Sequence, residues 1–193
     1  MAGRVVLIAI GVVFATILLF ALVVGLYIRS TYNGFIEKSQ AVDAQWGQVQ
    51  TQYQRRFDLI PNLVEATKGI FQQEQQVFGQ LAEARTRYAG AVTPDQRAQA
   101  ATQVESALAR LLVVVENYPE LRSQANITQL MDELAGTENR ISVERKRFND
   151  QVLAYNNSVL RFPSNVIAGI FNFSQRNYFN AAPGAEAAPK VQF

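Results

Sequence analysis

Apolar residues along the chain fall into two patterns, one dense and one periodic. From Val5 to Ile28 there is an uncharged run of 24 residues, bracketed by Arg4 and Arg29. As a helix this run rises about 36 Å, enough to cross a hydrocarbon core of roughly 30 Å with some tilt. From Tyr32 onward apolar residues recur at helical spacing instead. Val42, Trp46, Val49, Tyr53, Phe57 and Ile60 are spaced by 3 or 4, as are Leu63, Thr67, Ile70, Glu74, Val77, Leu81, Ala84 and Tyr88. A third series runs Ala101, Val104, Leu108, Leu111, Val115, Tyr118. The fourth runs Ile127, Leu130, Leu134, Thr137, Ile141, Glu144, Phe148, Val152, Tyr155, Val159, Phe162. Such stripes bury one side of a helix in an antiparallel bundle or coiled coil, and no strand-like alternation of useful length competes with them.

The residues between stripes agree with this reading. Thr93-Pro94-Asp95-Gln96 is a capping box with proline at the first helical position, and Gly90 suits the end of the preceding helix. Tyr118-Pro119 closes or kinks the third helix, Asn126 with Gln129 opens the fourth, and Phe162-Pro163 ends it. At Asp58-Leu59-Ile60-Pro61-Asn62, proline either kinks one very long helix or starts a new one capped by Asp58. The break is preferred here. It gives an all-α chain: an N-terminal transmembrane helix followed by an up-and-down bundle of about four long helices.

The expected organisation is a tail at 1–4, an anchor helix at 5–28, a bundle at 29–162, a short apolar segment at 163–180, and a flexible tail at 181–193. A cleaved signal peptide would have a shorter apolar region of about 7–15 residues and a small-x-small site. Leu22 to Ile28 offers no such site, so a retained anchor is expected. No glycine- or proline-rich linker separates Ile28 from Phe35, so the span is expected to run into the first bundle helix. In 163–180, Val166, Ile167, Ile170, Phe171, Phe173, Tyr178 and Phe179 form a candidate interaction segment. Its apolar residues need a surface to dock against: the bundle, a neighbouring copy or the membrane interface.

Composition narrows the chemistry. The chain has 193 residues and no cysteine or histidine, which removes disulfides, thiolate nucleophiles, Cys/His zinc sites and a catalytic triad histidine. Its net charge of +2 is small. Arg55-Arg56 and Arg145-Lys146-Arg147 sit in helical patterns beside acidic residues, so nucleic acid is not an expected partner. Glu74, Glu144 and Thr137 fall within the apolar stripes. A buried glutamate must be paired, and Arg55, Arg56, Arg140 and Arg145 are candidate partners for a polar core that sets helix register. A carboxylate-only magnesium, manganese or calcium site is the competing reading. The preferred expectation is no metal and no cofactor.

Several stretches together resemble the LemA family of bacterial membrane proteins. These are Tyr32-Asn33-Gly34, Val42-Asp43-Ala44-Gln45-Trp46 and Arg55-Arg56-Phe57-Asp58-Leu59-Ile60-Pro61-Asn62-Leu63-Val64. Further matches are Lys68-Gly69, Glu74, Glu138-Asn139-Arg140-Ile141, Phe148-Asn149, Tyr155-Asn156, Phe162-Pro163-Ser164-Asn165 and Tyr178-Phe179. The resemblance covers nearly all of the chain except its last dozen residues. It implies an anchor and an antiparallel bundle in the bacterial inner membrane, crossed once, and it implies no catalytic mechanism. Phe57 and Phe148 stand where tyrosine is common in the family. Phe171-Asn172-Phe173 stands where Phe-Gly-Phe is typical, and asparagine adopts left-handed geometry less freely than glycine.

Orientation is balanced. Arg4 and the terminal amine face Arg29 and Lys38 across the span, with Glu37 and Asp43 offsetting the latter. A short basic tail favours a bundle outside the cell, whereas the resemblance implies a cytoplasmic bundle, so the side is left open. The expected partners are the lipid bilayer, further copies of the chain and other membrane proteins. The function expected first is a membrane-anchored, non-enzymatic scaffold that self-associates. A sensory or signalling component comes next, and a carboxylate-metal enzyme last.

Overall fold

In the computed structural model, residues 2–67, 75–118 and 124–179 are described. Their regular elements are helices: α1 (Ala2–Thr67), α2 (Gln75–Gly90), α3 (Pro94–Asn117), α4 (Ala125–Leu160) and α5 (Ser164–Ile170). No strand occurs among the described residues, and the all-α bundle architecture follows the stripes.

The caps fall where the sequence places them. Thr93 Oγ1 accepts from the Gln96 amide (3.2 Å), the Gln96 side chain accepts from the Thr93 amide (3.3 Å), and Pro94 opens α3. The α2 helix ends at Gly90, and Tyr118 caps α3 by donating to Val115 O (3.3 Å). Pro119 lies outside the described residues. The fourth helix starts at Ala125, one residue earlier than the asparagine signal suggests. Its first carbonyl is that of Gln124, which accepts from the Ile127 and Thr128 amides. Gln129 makes no capping contact there and instead donates to Glu133, one turn on (3.1 Å).

The preferred break at Asp58–Pro61 does not occur: Pro61 lies inside α1, which is 66 residues long. Proline in a helix interior costs about 3 kcal/mol or more through a lost hydrogen bond and a ring clash. Phe57, Ile60 and Leu63 flank it and are all buried. Each contributes about 1.5–3 kcal/mol when fully buried, so continuing the stripe outweighs the defect. Asp58 does not cap a new helix; it accepts from Gln54 within α1 (2.8 Å).

The chain divides into two units. One comprises Met1–Val42 with Val152–Arg176. In it the apolar stretch of α1 has a mean hydropathy of 3.1, is long enough to cross a membrane, and buries none of its surface. The same helix continues through Arg29–Gly34 without interruption to the buried Phe35 and Val42. The α4 helix ends at Leu160, and this releases Phe162 from the fourth stripe. Predicted as a core residue, Phe162 is instead 82% exposed. At the corner, Ser164 Oγ donates toward the carbonyls of Ser158 (2.6 Å) and Arg161 (2.7 Å).

The α5 helix then closes in a Schellman turn. The Phe173 amide donates to Ala168 O (2.9 Å) and the Asn172 amide to Gly169 O (3.4 Å), with Asn172 at φ 58°. Asn172, where the resemblance implies a glycine, is thus in the left-handed region. The turn sends Phe173 back onto Tyr32 and Phe35, with ring centroids 5.6 and 5.0 Å apart.

The other unit comprises Asp43–Gln151 with Asn177–Phe193. Here α2 and α3 form a hairpin across Ala91–Thr93, with Arg87 donating to Gln103 (3.2 Å) and Arg110 to Gln80 (2.8 Å). The α1 helix meets α4 through the Trp46 and Phe148 rings (5.3 Å). Val49, Leu81, Val104, Leu108, Leu111, Val115, Leu134 and Ile141 fill the interior. The expected flexible tail at 181–193 lies outside the described residues.

Candidate functional site

Within the second unit, one polar cluster joins residues from four helices and the terminal segment. Tyr53 of α1 is buried, its ring stacked on Phe57 (5.9 Å) and tilted against Tyr88 of α2 (5.5 Å). Its hydroxyl donates to Glu105 Oε1 of α3 (3.1 Å) and accepts from Arg145 Nη2 of α4. Arg145 also pairs with Glu105, and its guanidinium lies 4.5 Å from the Phe179 ring centroid. Burial, reinforced by the Glu105 carboxylate, holds the Tyr53 phenol well above its usual pKa, and Arg145 only partly offsets this. The phenol therefore stays neutral and acts as a hydrogen-bonding bridge rather than a base. Burial likewise raises Tyr88, softened by Arg97. Phenol, carboxylate and guanidinium are committed to one another, which suits a cross-brace between helices better than a substrate site.

The partners differ from those expected. Arg56 is buried and, among the described residues, pairs with Glu138 and not with the stripe residue Glu144. Glu144 is held by Gln45 Nε2 (2.6 Å) and by Arg147 (2.7 Å), which was not among its expected partners. Thr137 is buried and donates to Leu134 O of its own helix (2.7 Å). Arg55 and Arg140 are exposed and line an open groove of about 590 Å³ with Asp132, Glu133 and Gly136. Glu74 lies outside the described residues. The reason for the difference is positional. Glu105 and Glu138 each lie one place beyond a stripe residue, Val104 or Thr137, where a charge keeps one side near water. Among the described residues, no group of three or more Asp/Glu side chains could hold a metal ion.

Two further residues, not singled out from the sequence as site residues, fasten the end of the chain. In the first unit Asn156, buried, donates from Nδ2 to Arg176 O (2.9 Å) and accepts at Oδ1 from the Arg176 amide (2.9 Å). The Arg176 guanidinium donates to Ser39 Oγ (2.8 Å) and lies over the Tyr155 ring. In the second unit Asn149 makes the same pair of bonds to Phe179, at 3.0 and 2.8 Å. Each side-chain amide satisfies a main-chain donor and acceptor at once, as a neighbouring strand would. The available signal was an aromatic-Asn pair repeated at seven residues, Phe148-Asn149 and Tyr155-Asn156.

The candidate interaction segment splits accordingly. Ile167 is buried, and Phe173 and Phe179 are half-buried against the helices. Val166, Ile170, Phe171 and Tyr178 remain exposed.

Residues 45–193 match the model of the LemA family. The chain belongs to the LemA family. The stretch matched to LemA contains the whole cross-brace and both asparagine clasps. Similar proteins include magnetosome proteins MamQ 1 and MamQ 2 of Paramagnetospirillum magneticum. Each is 26% identical over 181 residues, covering 80% of this chain. MamQ of Magnetospirillum gryphiswaldense is 24% identical with the same coverage. The LemA chain spans about 66% of the length of these relatives.

Proposed function

We propose that this LemA chain is a non-enzymatic platform, held in the bacterial inner membrane by a single pass of residues 5–28, on which further copies or other membrane proteins assemble. The observation that carries this reading is the continuity of α1. A fully exposed apolar stretch runs, within one helix, into a stripe buried by the bundle. An apolar helix of that length left in water would be costly, and lipid is the solvent that matches it. The internal polar groups brace the bundle, which leaves its surface as the working part. Neither the family description nor the relatives' names specify a reaction. Confinement to a plane raises the effective concentration of copies, which favours self-association.

The test uses the full chain. It should stay in the membrane fraction through an alkaline carbonate wash, and in detergent its mass should exceed that of one chain. Release by carbonate would end the anchor reading, and a strictly monomeric species over a wide concentration range would end the self-association reading. Because the chain has no native cysteine, single introduced thiols at exposed bundle positions would report its side of the membrane. A sensory role is favoured by one observation only: no flexible joint separates the span from Phe35.

A further inference from the structure

We infer that the corner and short helix after α4 form a second membrane contact, with Phe162, Val166 and Ile170 inserted into the lipid interface beside the anchor. This rests on the anchor reading above. Val166 and Ile170 lie one turn apart on α5, and Phe162 stands at the corner that precedes it. Phe162, Val166 and Ile170 are 82%, 55% and 67% exposed. Ile167 and Ala168, also on α5, are buried. The helix is therefore apolar on both sides: one packs on its own unit, and the other has no cover among the described residues.

The height of these residues relative to lipid follows from the same unit. The uncharged run ends at Ile28, and Tyr32 is four residues on, about 6 Å along the helix axis. The Tyr32 ring meets the Phe171 ring edge-on at 5.0 Å. Phe171, which caps α5, is thereby placed roughly one headgroup layer from the hydrocarbon. Each polar layer of a bilayer is about 5–7 Å thick. Apolar residues beside Phe171 at that depth face the headgroup layer, from which short amphipathic helices and aromatic residues reach the acyl boundary.

Charge points the same way. In Arg29–Val42 and Val152–Arg176 the cations Arg29, Lys38, Arg161 and Arg176 are opposed by a single anion, Glu37. An excess of cations in the unit that carries these apolar residues suits anionic headgroups. A second copy of the chain would need a matching apolar face, whereas the anchor already brings the bilayer to this level.

The experiment places an environment-sensitive fluorophore on single cysteines in the full chain. The variants are Phe162→Cys, Val166→Cys and Ile170→Cys, with Leu18→Cys in the span as reference. Each is reconstituted in phosphatidylcholine–phosphatidylglycerol vesicles, with or without lipid spin-labelled high on its acyl chain. The three corner and α5 probes should be blue-shifted and lose emission to the spin-labelled lipid. If Leu18 is shielded from water and these three probes are neither blue-shifted nor quenched, the second contact is overturned and the anchor stands. If all four report water, the anchor reading falls and takes this inference with it. A blue shift without quenching, which fades as chains are diluted in lipid, identifies a second copy as the cover and overturns the lipid assignment.

Discussion

Replacing Asn156 with alanine should loosen the chain end at one defined bond. The Asn156 side chain is buried and makes two hydrogen bonds of 2.9 Å to the main chain of Arg176. An intramolecular hydrogen bond contributes about 1 kcal/mol net, and leaving a buried main-chain group unpaired adds a penalty, so the pair is worth about 2–3 kcal/mol. The Arg176–Asn177 bond is a trypsin site, and a protease cuts it only when the segment opens. Where opening is fast relative to cleavage, the rate follows the open population. A loss of 2–3 kcal/mol then raises cleavage after Arg176 by roughly 30- to 150-fold. The assay is limited proteolysis, with the product ending at Arg176 followed by mass spectrometry. Asn157→Ala, at the next position, should leave the rate near wild type. If Asn156→Ala cuts within about twofold of wild type, the two bonds do not hold the segment.

Truncating Arg145 to alanine should cost about 2–4 kcal/mol in denaturant unfolding, because Tyr53 and Glu105 lose their cation in a partly buried site. The triple change Arg145→Met, Glu105→Leu and Tyr53→Phe should instead lie within about 1 kcal/mol of wild type, since it leaves neither a charge nor the phenol hydroxyl unpaired. The folded pKa of Tyr53 lies above the unfolded value near 10, so the folded state holds this proton more tightly. Its contribution is present below about pH 10 and lost as the pH rises further. Denaturant midpoints should therefore fall between about pH 10 and 11, less steeply in Tyr53→Phe. Pro61→Ala should raise thermal stability by about 1–3 kcal/mol by restoring the amide that α1 lacks at that turn; a lower melting temperature would mean that packing requires the proline's geometry.

The stripes could be read from sequence because a period near 3.5 encodes which side of a helix is buried, and Thr93-Pro94-Asp95-Gln96 encodes where one begins. Pro61 was misread because its local preference opposes a helix, while the burial that outweighs it comes from residues distant in sequence. The partners of Glu144 differ from those expected for a related reason. Spacing along one helix says nothing of its sliding register against another, and it is this register that pairs Arg56 with Glu138 and Arg145 with Glu105. Asn149 and Asn156 stood out only as repeated pairs, since their role depends on an irregular segment that passes beside them. Asn172 was legible only as a departure from a glycine, and its positive φ supplies the reason.

The absence of a joint between the span and Phe35 has a mechanical consequence. A helix longer than the hydrocarbon it crosses relieves the mismatch by tilting, and the required tilt changes with bilayer thickness. With no linker to absorb that change, it is inherited by Tyr32, Phe35 and the aromatic rings packed on them. On the proposed anchoring, local lipid composition would then bear on the inclination of the unit formed by Met1–Val42 and Val152–Arg176. On this view the anchor is also a gauge, converting the thickness of its surroundings into an angle.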